Sequence, residues 1–198
     1  MIEFISNVNE VLPYNRKQYL RRNKWFGLSF QLQGVFEGKD IGLSTFLDVY
    51  KPWLNNLINH FDDNTKLIIN HDFIDEDWFP NKQRNLKKIR ELFKKHNIPN
   101  SYKGAILVSK DVLSEHLEDF LSYPYTVLNK KGFYYNDIDI SLNTRSLVIK
   151  ISSHLTVDIL SKELLLLQET TQNNYLDCFI LKEYNGTPSV NILNPNLA

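Results

Sequence analysis

Cys178 is the only cysteine in the 198-residue sequence, so an intrachain disulfide and a cysteine-rich zinc site are both excluded. It stands in the apolar run Cys178-Phe179-Ile180-Leu181 and reads as a small buried hydrophobe. A surplus of one charge is also missing. Lys plus Arg number 23 and Asp plus Glu number 23, which leaves no global basic excess of the kind that releases counterions from nucleic acid or anionic membranes. Long apolar runs are absent: Leu164 to Leu167 is as long as any, against the roughly 20 residues that a membrane span requires. The opening residues Met1-Ile2-Glu3-Phe4-Ile5-Ser6 hold no basic stretch followed by an apolar one, so no signal peptide and a cytoplasmic location are expected. Without a Gly-rich strand-to-helix turn, nucleotide-fold motifs lack support, and no cofactor is expected. Alanine occurs only as Ala105 and Ala198 while Asn, Lys, Ile and Leu abound, the mark of an AT-rich coding sequence of bacterial or phage type.

What is present describes a folded domain. Apolar residues make up 42% and charged residues 23%, too apolar a mixture for intrinsic disorder. At this length one core buries about 70% of the surface that the unfolded chain exposes, so residues 1–186 are expected to form a single globular domain, with 187–198 as a flexible tail.

Phe26, Leu28, Phe30 and Leu32 recur at every second position and predict a half-buried strand. Ser44 is placed to cap a helix with the apolar stripe Leu43, Leu47, Tyr50, Leu54, Leu57, Ile58 and Phe61, and Pro52 predicts a kink or a fresh start at Lys51. A short β-like run covers 66–70, and a second helix over 81–97 carries Leu86, Ile89 and Phe93 as its stripe. Gly104 to Ser109 reads as a buried strand, with Ser109 capping a helix that Pro124 ends. From there the pattern turns to β. A hairpin over 134–142 and 146–152 turns at Asn143-Thr144, and pairing Leu142 with Arg145 sets Asp139 opposite Val148 and Asp137 opposite Lys150. A strand over 154–159, a helix over 161–171 and a strand over 177–183 follow. Helices fill mainly the N-terminal two-thirds and hairpins the last third, which predicts an α+β fold with a single mixed sheet packed by helices.

Four stretches carry side chains capable of chemistry. Asp137 and Asp139 share one face of the hairpin, with Lys150 across from them; acid, acid and lysine on adjacent strands is how many nucleases hold a divalent cation and polarise a scissile phosphate. The plain counterpart is a solvated strand face with one cross-strand ion pair. A third acidic ligand is not identified by the sequence. His154, Thr156 and Asp158 share a face of the next strand, and His-x-Thr resembles half of the paired motif of 2H-type phosphoesterases. The other half is missing, because Asp62, Phe73, Ile98 and Glu118 follow His60, His71, His96 and His116 at that spacing. Asn70-His71-Asp72 is ligand-rich but lacks the spacing of a zinc or calcium site, so no metal is assigned. The segment after it, Asp75, Glu76, Asp77, Trp78 and Phe79, reads as a charged docking surface with two aromatic anchors. The helix over 81–97 carries Lys82, Arg84, Lys87, Lys88, Arg90, Lys94 and Lys95, either a surface that tracks phosphates or the solvated face of an amphipathic helix.

The stretches Lys103-Gly104-Ala105-Ile106, Asp119 through Tyr125, Asp137-Ile138-Asp139-Ile140-Ser141 and Val148 through Ser161 resemble a family of small bacterial proteins whose domain has no assigned function. The resemblance covers the C-terminal half and implies no functional residues. In size and in its incomplete motifs the chain also resembles toxin-immunity and phage-encoded inhibitor proteins. Aromatic residues, at 13%, suit an interface rich in anchors. The expected function is therefore a non-enzymatic protein of the immunity or inhibitor type that occludes a protein partner. The alternatives are a metal-dependent phosphodiesterase or nuclease using Asp137, Asp139 and Lys150, and a nucleic-acid-binding module using the helix over 81–97. The first expectation supposes that polar side chains of the late β-rich segment face water as isolated charges.

Overall fold

Period-two alternation becomes one antiparallel sheet drawn from both ends of the chain. The computed structural model describes residues 1–21, 24–36, 41–72, 76–80, 85–129, 131–134, 136–174, 177–185 and 187. Its strands are β1 (Ile2–Ile5), β2 (Phe26–Leu32), β3 (Lys66–His71), β4 (Ala105–Ser109), β5 (Ile138–Leu142), β6 (Leu147–Ile151), β7 (Val157–Ser161) and β8 (Phe179–Glu183), in the order β1-β4-β3-β5-β6-β7-β2-β8. Every neighbouring pair is antiparallel, so the α+β class stands but the sheet is not mixed.

That order dictates the helices. β4 and β5 both flank β3, and β7 and β8 both flank β2, so each flanking pair runs one way and needs a crossover. Helices α5 (Lys110–Thr126) and α6 (Leu164–Asn174) provide them, and the one-turn α2 (Gln33–Phe36) and α3 (Leu43–Asn59) lie between β2 and β3. Helices α3, α5 and α6 pack on one face, where Tyr50, Leu54, Phe120 and Leu167 bury Phe30, Ile69, Ile140, Ile149 and Ile159. The other face is covered by residues 8–21 and Trp25, which include the short helix α1 (Arg16–Leu20). There Tyr14, Tyr19 and Trp25 meet edge to face and close over Val148 and Leu160, while Val8 covers Ile68 and Leu107.

Local expectations change where a tertiary contact overrules a pattern. The hairpin pairs Asp139 with Lys150, Ile140 with Ile149 and Ser141 with Val148, a slip of two residues from the expected register. A two-residue slip keeps every side chain on its face, so the apolar pattern fits both registers equally well. The longer turn is pinned from outside: Asn143 exchanges bonds with the Lys66 backbone, its Oδ1 accepting at 2.8 Å and its N–H donating at 3.0 Å. α3 runs unbroken through Pro52 and starts after Gly42, leaving Ser44 inside the helix. Pro124 likewise lies within α5 and does not end it. Ser109 precedes α5 but gives its side chain no capping role; its Oγ accepts instead from the Met1 ammonium at 3.1 Å. Cys178 is exposed, not buried. Residues 188–198, expected as a flexible tail, lie outside the described residues.

Candidate functional site

Sheet register sets one polar residue per strand in a row across the second face. Asn70, Asp139, Lys150, Asp158, Ser29 and Lys182 are successive partners on β3, β5, β6, β7, β2 and β8. Alternation then sends their side chains to the same side. The first five are buried, so the polar groups of this region are not the isolated, water-facing charges expected from the sequence.

Lys150 is the centre of the row and is 4% exposed. Its ammonium donates to Asp72 Oδ2 and lies 3.1 Å from Asp137 Oδ2 and 3.9 Å from Asp139 Oδ1. Asp72, one residue beyond β3, is the third acidic group that the sequence did not identify. The covering segment closes the cluster from above. Tyr19 donates its hydroxyl to Asp139 Oδ1 at 3.0 Å, the Tyr14 hydroxyl lies 2.8 Å from Ser141 Oγ, and the Arg16 guanidinium donates to the carbonyls of His71 and Asp72. Asp137 Oδ1 accepts from the Ser153 N–H at 3.1 Å.

The electrostatics follow from burial and from neighbours. Burial, and then the charge of Asp72, push the Asp139 carboxyl well above the ordinary aspartate range, against the pull of Lys150. Burial alone would lower Lys150, but Asp139, Asp72 and Asp137 outweigh it and hold the ammonium above the usual lysine value. Burial raises Tyr19 and Tyr14 as well, with Asp139 adding to both. Each of these groups is thereby kept in one protonation state over a wide pH range: the tyrosines neutral and the lysine charged.

Beside the cluster, a cleft of about 640 Å³ opens over β6, β7, β2 and β8. Asp137, Lys150, Asp158, Thr156, His154 and Glu183 are among its lining residues. Two candidate sets that the sequence held apart thus meet in one cleft. Their geometry differs from the expected one, however. His154 sits exposed in the turn before β7, next to Leu155 at φ 56°, and does not share a strand face with Asp158.

The docking segment is largely overturned. Trp78 and Phe79 are 0% and 3% exposed and belong to the core, so they are not surface anchors. Trp78 Nε1 donates to the Gly104 carbonyl at 2.9 Å, and its ring meets His71 at 4.3 Å between centroids. Glu76 is exposed, Asp77 lies 3.8 Å from Lys103, and Asp75 lies outside the described residues. Of the basic helix, α4 (Lys87–Lys95) is described, whereas Lys82 and Arg84 are not. Its flank meets α5, where Asp119 Oδ2 accepts from the Ile89 N–H at 3.0 Å and the Glu115 carbonyl accepts from Lys88. Part of the basic side is therefore matched by an acidic helix.

Sequence reasoning missed Asp72, Tyr14, Arg16 and Tyr19. Asp72 was visible as a ligand-capable residue, but its strand was not paired with the hairpin; the other three carry no periodic signal. Among the described residues, no three His, Cys, Asp or Glu side chains are placed to hold a metal ion, and the middle of the carboxylate cluster is taken by the Lys150 ammonium. No family model matches this chain, and no match to it was found among curated proteins or among solved structures.

Proposed function

We propose that this chain is a non-enzymatic binding protein of the immunity or inhibitor type, and that its polar cleft receives a basic group of the protein partner it occludes. The observation that supports this most is the Lys150 ammonium set among Asp72, Asp137 and Asp139. Acid–base catalysis works best with a group that titrates near the working pH. Here the lysine is held charged and the Asp139 carboxyl is driven toward its neutral form. The carboxylates that would hold a divalent cation are already spent on an internal one. The cleft wall presents acid at Asp137, which retains part of its exposure. Guanidinium and ammonium groups are the natural counterparts of such a wall.

A second reading, a metal-dependent phosphodiesterase, draws on one specific observation: a third acid, Asp72, does join Asp137, Asp139 and Lys150. Co-purification from the native host, followed by binding measurements with Glu183→Lys, separates the two. A stable complex that weakens with salt and with the charge reversal supports the binder. Hydrolysis of a phosphodiester that needs Mg²⁺ or Mn²⁺ and is lost in Asp137→Ala overturns it in favour of the enzyme.

A further inference from the structure

We infer that Asp72 and Asp139 share a single proton, and that this proton fastens the N-terminal segment 8–21 onto the second face of the sheet. The accounting of carboxyl oxygens leads there. Asp72 Oδ2 accepts from Lys150 Nζ, and Asp139 Oδ1 accepts from the Tyr19 hydroxyl at 3.0 Å. The other two oxygens, Asp72 Oδ1 and Asp139 Oδ2, are buried and have no hydrogen-bond partner among the described residues. The two carboxyl groups are within hydrogen-bonding reach of each other. Ionised carboxylates only accept, so two of them side by side leave both oxygens unsatisfied and repel. One proton between them turns the contact into an O–H···O⁻ bond, the charge-assisted kind that is short and strong.

Charge around the pair agrees. At this edge Lys150 and Arg16 supply two cations, the first facing the carboxylates of Asp72 and Asp137 and the second bonded to the backbone carbonyls of His71 and Asp72. Asp158 on β7 stands beside Lys150 on its far side and adds a further carboxylate. Besides Arg16, the described part of the covering segment brings the neutral hydroxyls of Tyr14 and Tyr19, and β3 and β5 bring the neutral Asn70 and Ser141. A charged Asp139, 1% exposed, would be an additional buried anion without a cation of its own. Asp139 rather than Asp72 holds the proton, because Asp72 is the one in direct contact with the ammonium.

The shared proton ties three pieces together: the end of β3 through Asp72, β5 through Asp139, and α1 through Tyr19. When it leaves, repulsion opens beneath Tyr19 and the segment loosens. The sign follows from linkage. A carboxyl raised in the folded state contributes stability that is fully present below its unfolded pKa and is lost as pH rises through its folded pKa. Alkaline, not acid, conditions therefore release the segment.

Infrared spectroscopy of the full chain at neutral pH tests the proton directly. A protonated-carboxyl C=O band is expected in the wild type and is expected to vanish in Asp139→Asn. Hydrogen exchange of residues 14–21, corrected for intrinsic rates, tests the fastening. Wild-type protection should fall by up to about tenfold per pH unit between the ordinary and the raised carboxyl midpoint and level off above the raised one, whereas Asp139→Asn, which keeps a donor and cannot ionise, should stay flat. Absence of the band in the wild type overturns the shared proton even if the variant fails to fold. Equal pH dependence in wild type and variant overturns the fastening.

Discussion

Asp139 stands directly opposite Lys150 on the neighbouring strand, yet the Lys150 ammonium lies 3.9 Å from its carboxyl and only 3.1 Å from that of Asp137. Cross-strand pairing alone would favour Asp139. Coulomb attraction favours whichever partners are ionised, and the long lysine stem lets the head group move toward them. The ammonium leans away from a carboxyl whose ionisation burial disfavours and toward Asp72 and Asp137. Backbone pairing already sets these two side by side, the Asp72 N–H donating to the Asp137 carbonyl at 3.2 Å, so one ammonium reaches both.

Replacing Lys150 by methionine keeps most of the stem's volume and removes the charge. Asp72 and Asp137 are then left partly buried without a cation, the situation in which breaking a buried ion pair costs about 3–5 kcal/mol. A fall in the urea midpoint of that size, at unchanged slope, is expected. An unaltered midpoint would mean that these carboxylates are fully solvated. Adding Asp72→Asn and Asp137→Asn to Lys150→Met is expected to recover part of the loss, since it removes the stranded acids.

Much of this was legible in the sequence, and what was not has physical reasons. β2 and the β5–β6 hairpin show in their alternation, because one face of each strand meets the helices and the other does not. The hairpin register did not show, since the Asn143–Lys66 bonds that fix it join segments far apart in the chain. Asp137, Asp139 and Lys150 were readable as a set, but Asp72 reaches Lys150 from 78 residues away, across a β3–β5 pairing that no local pattern announces. Trp78 and Phe79 illustrate the opposite failure. An aromatic pair after a run of acids looks the same whether it anchors a partner or fills the core, and only the packing of β3, α4 and α5 around it decides.

Stability should also depend on pH through His71. Burial pushes this imidazole from 6.5 down to about 3, so the folded state holds it neutral where the unfolded chain would begin to protonate it. A depressed folded pKa contributes stability that is present above 6.5 and is lost as pH falls toward 3. His116 on α5 is lowered in the same sense, again mainly by burial. The thermal midpoint is therefore expected to decline steadily on acidification below about 6.5, and His71→Gln is expected to flatten that limb. Asp139 has the opposite sign and begins to act above its ordinary value of 3.8, within the same limb, so the His71 contribution is read as the difference between wild type and His71→Gln.

Trp78 provides a measure of core against surface. Truncating a fully buried tryptophan to alanine costs about 3–5 kcal/mol, whereas surface changes stay within about 0.5 kcal/mol. Trp78→Ala is expected at the large end, because the ring packs against His71, Phe93 and Tyr123 as well as donating to Gly104. Trp78→Phe keeps much of the packing but leaves the Gly104 carbonyl without that donor, which should cost less. Chemical denaturation of both variants gives the comparison; a near-silent Trp78→Ala would place the ring outside the core.

Pro52 is the remaining oddity of the fold, an exposed proline within the continuous helix α3. A proline there lacks the N–H that would donate to Asp48 and crowds the preceding turn, a cost of about 3 kcal/mol in a helix interior. It also restricts the unfolded chain, which returns about 0.4–1 kcal/mol. Because Pro52 faces outward while its neighbours Trp53 and Leu54 are buried, exchanging it for alanine opens no cavity. The two backbone effects then decide the sign, and Pro52→Ala is expected to stabilise by about 2–2.5 kcal/mol. A rise in the thermal midpoint checks this. A fall would show that α3 needs the bend proline imposes in order to lay Leu54, Leu57 and Ile58 against the sheet.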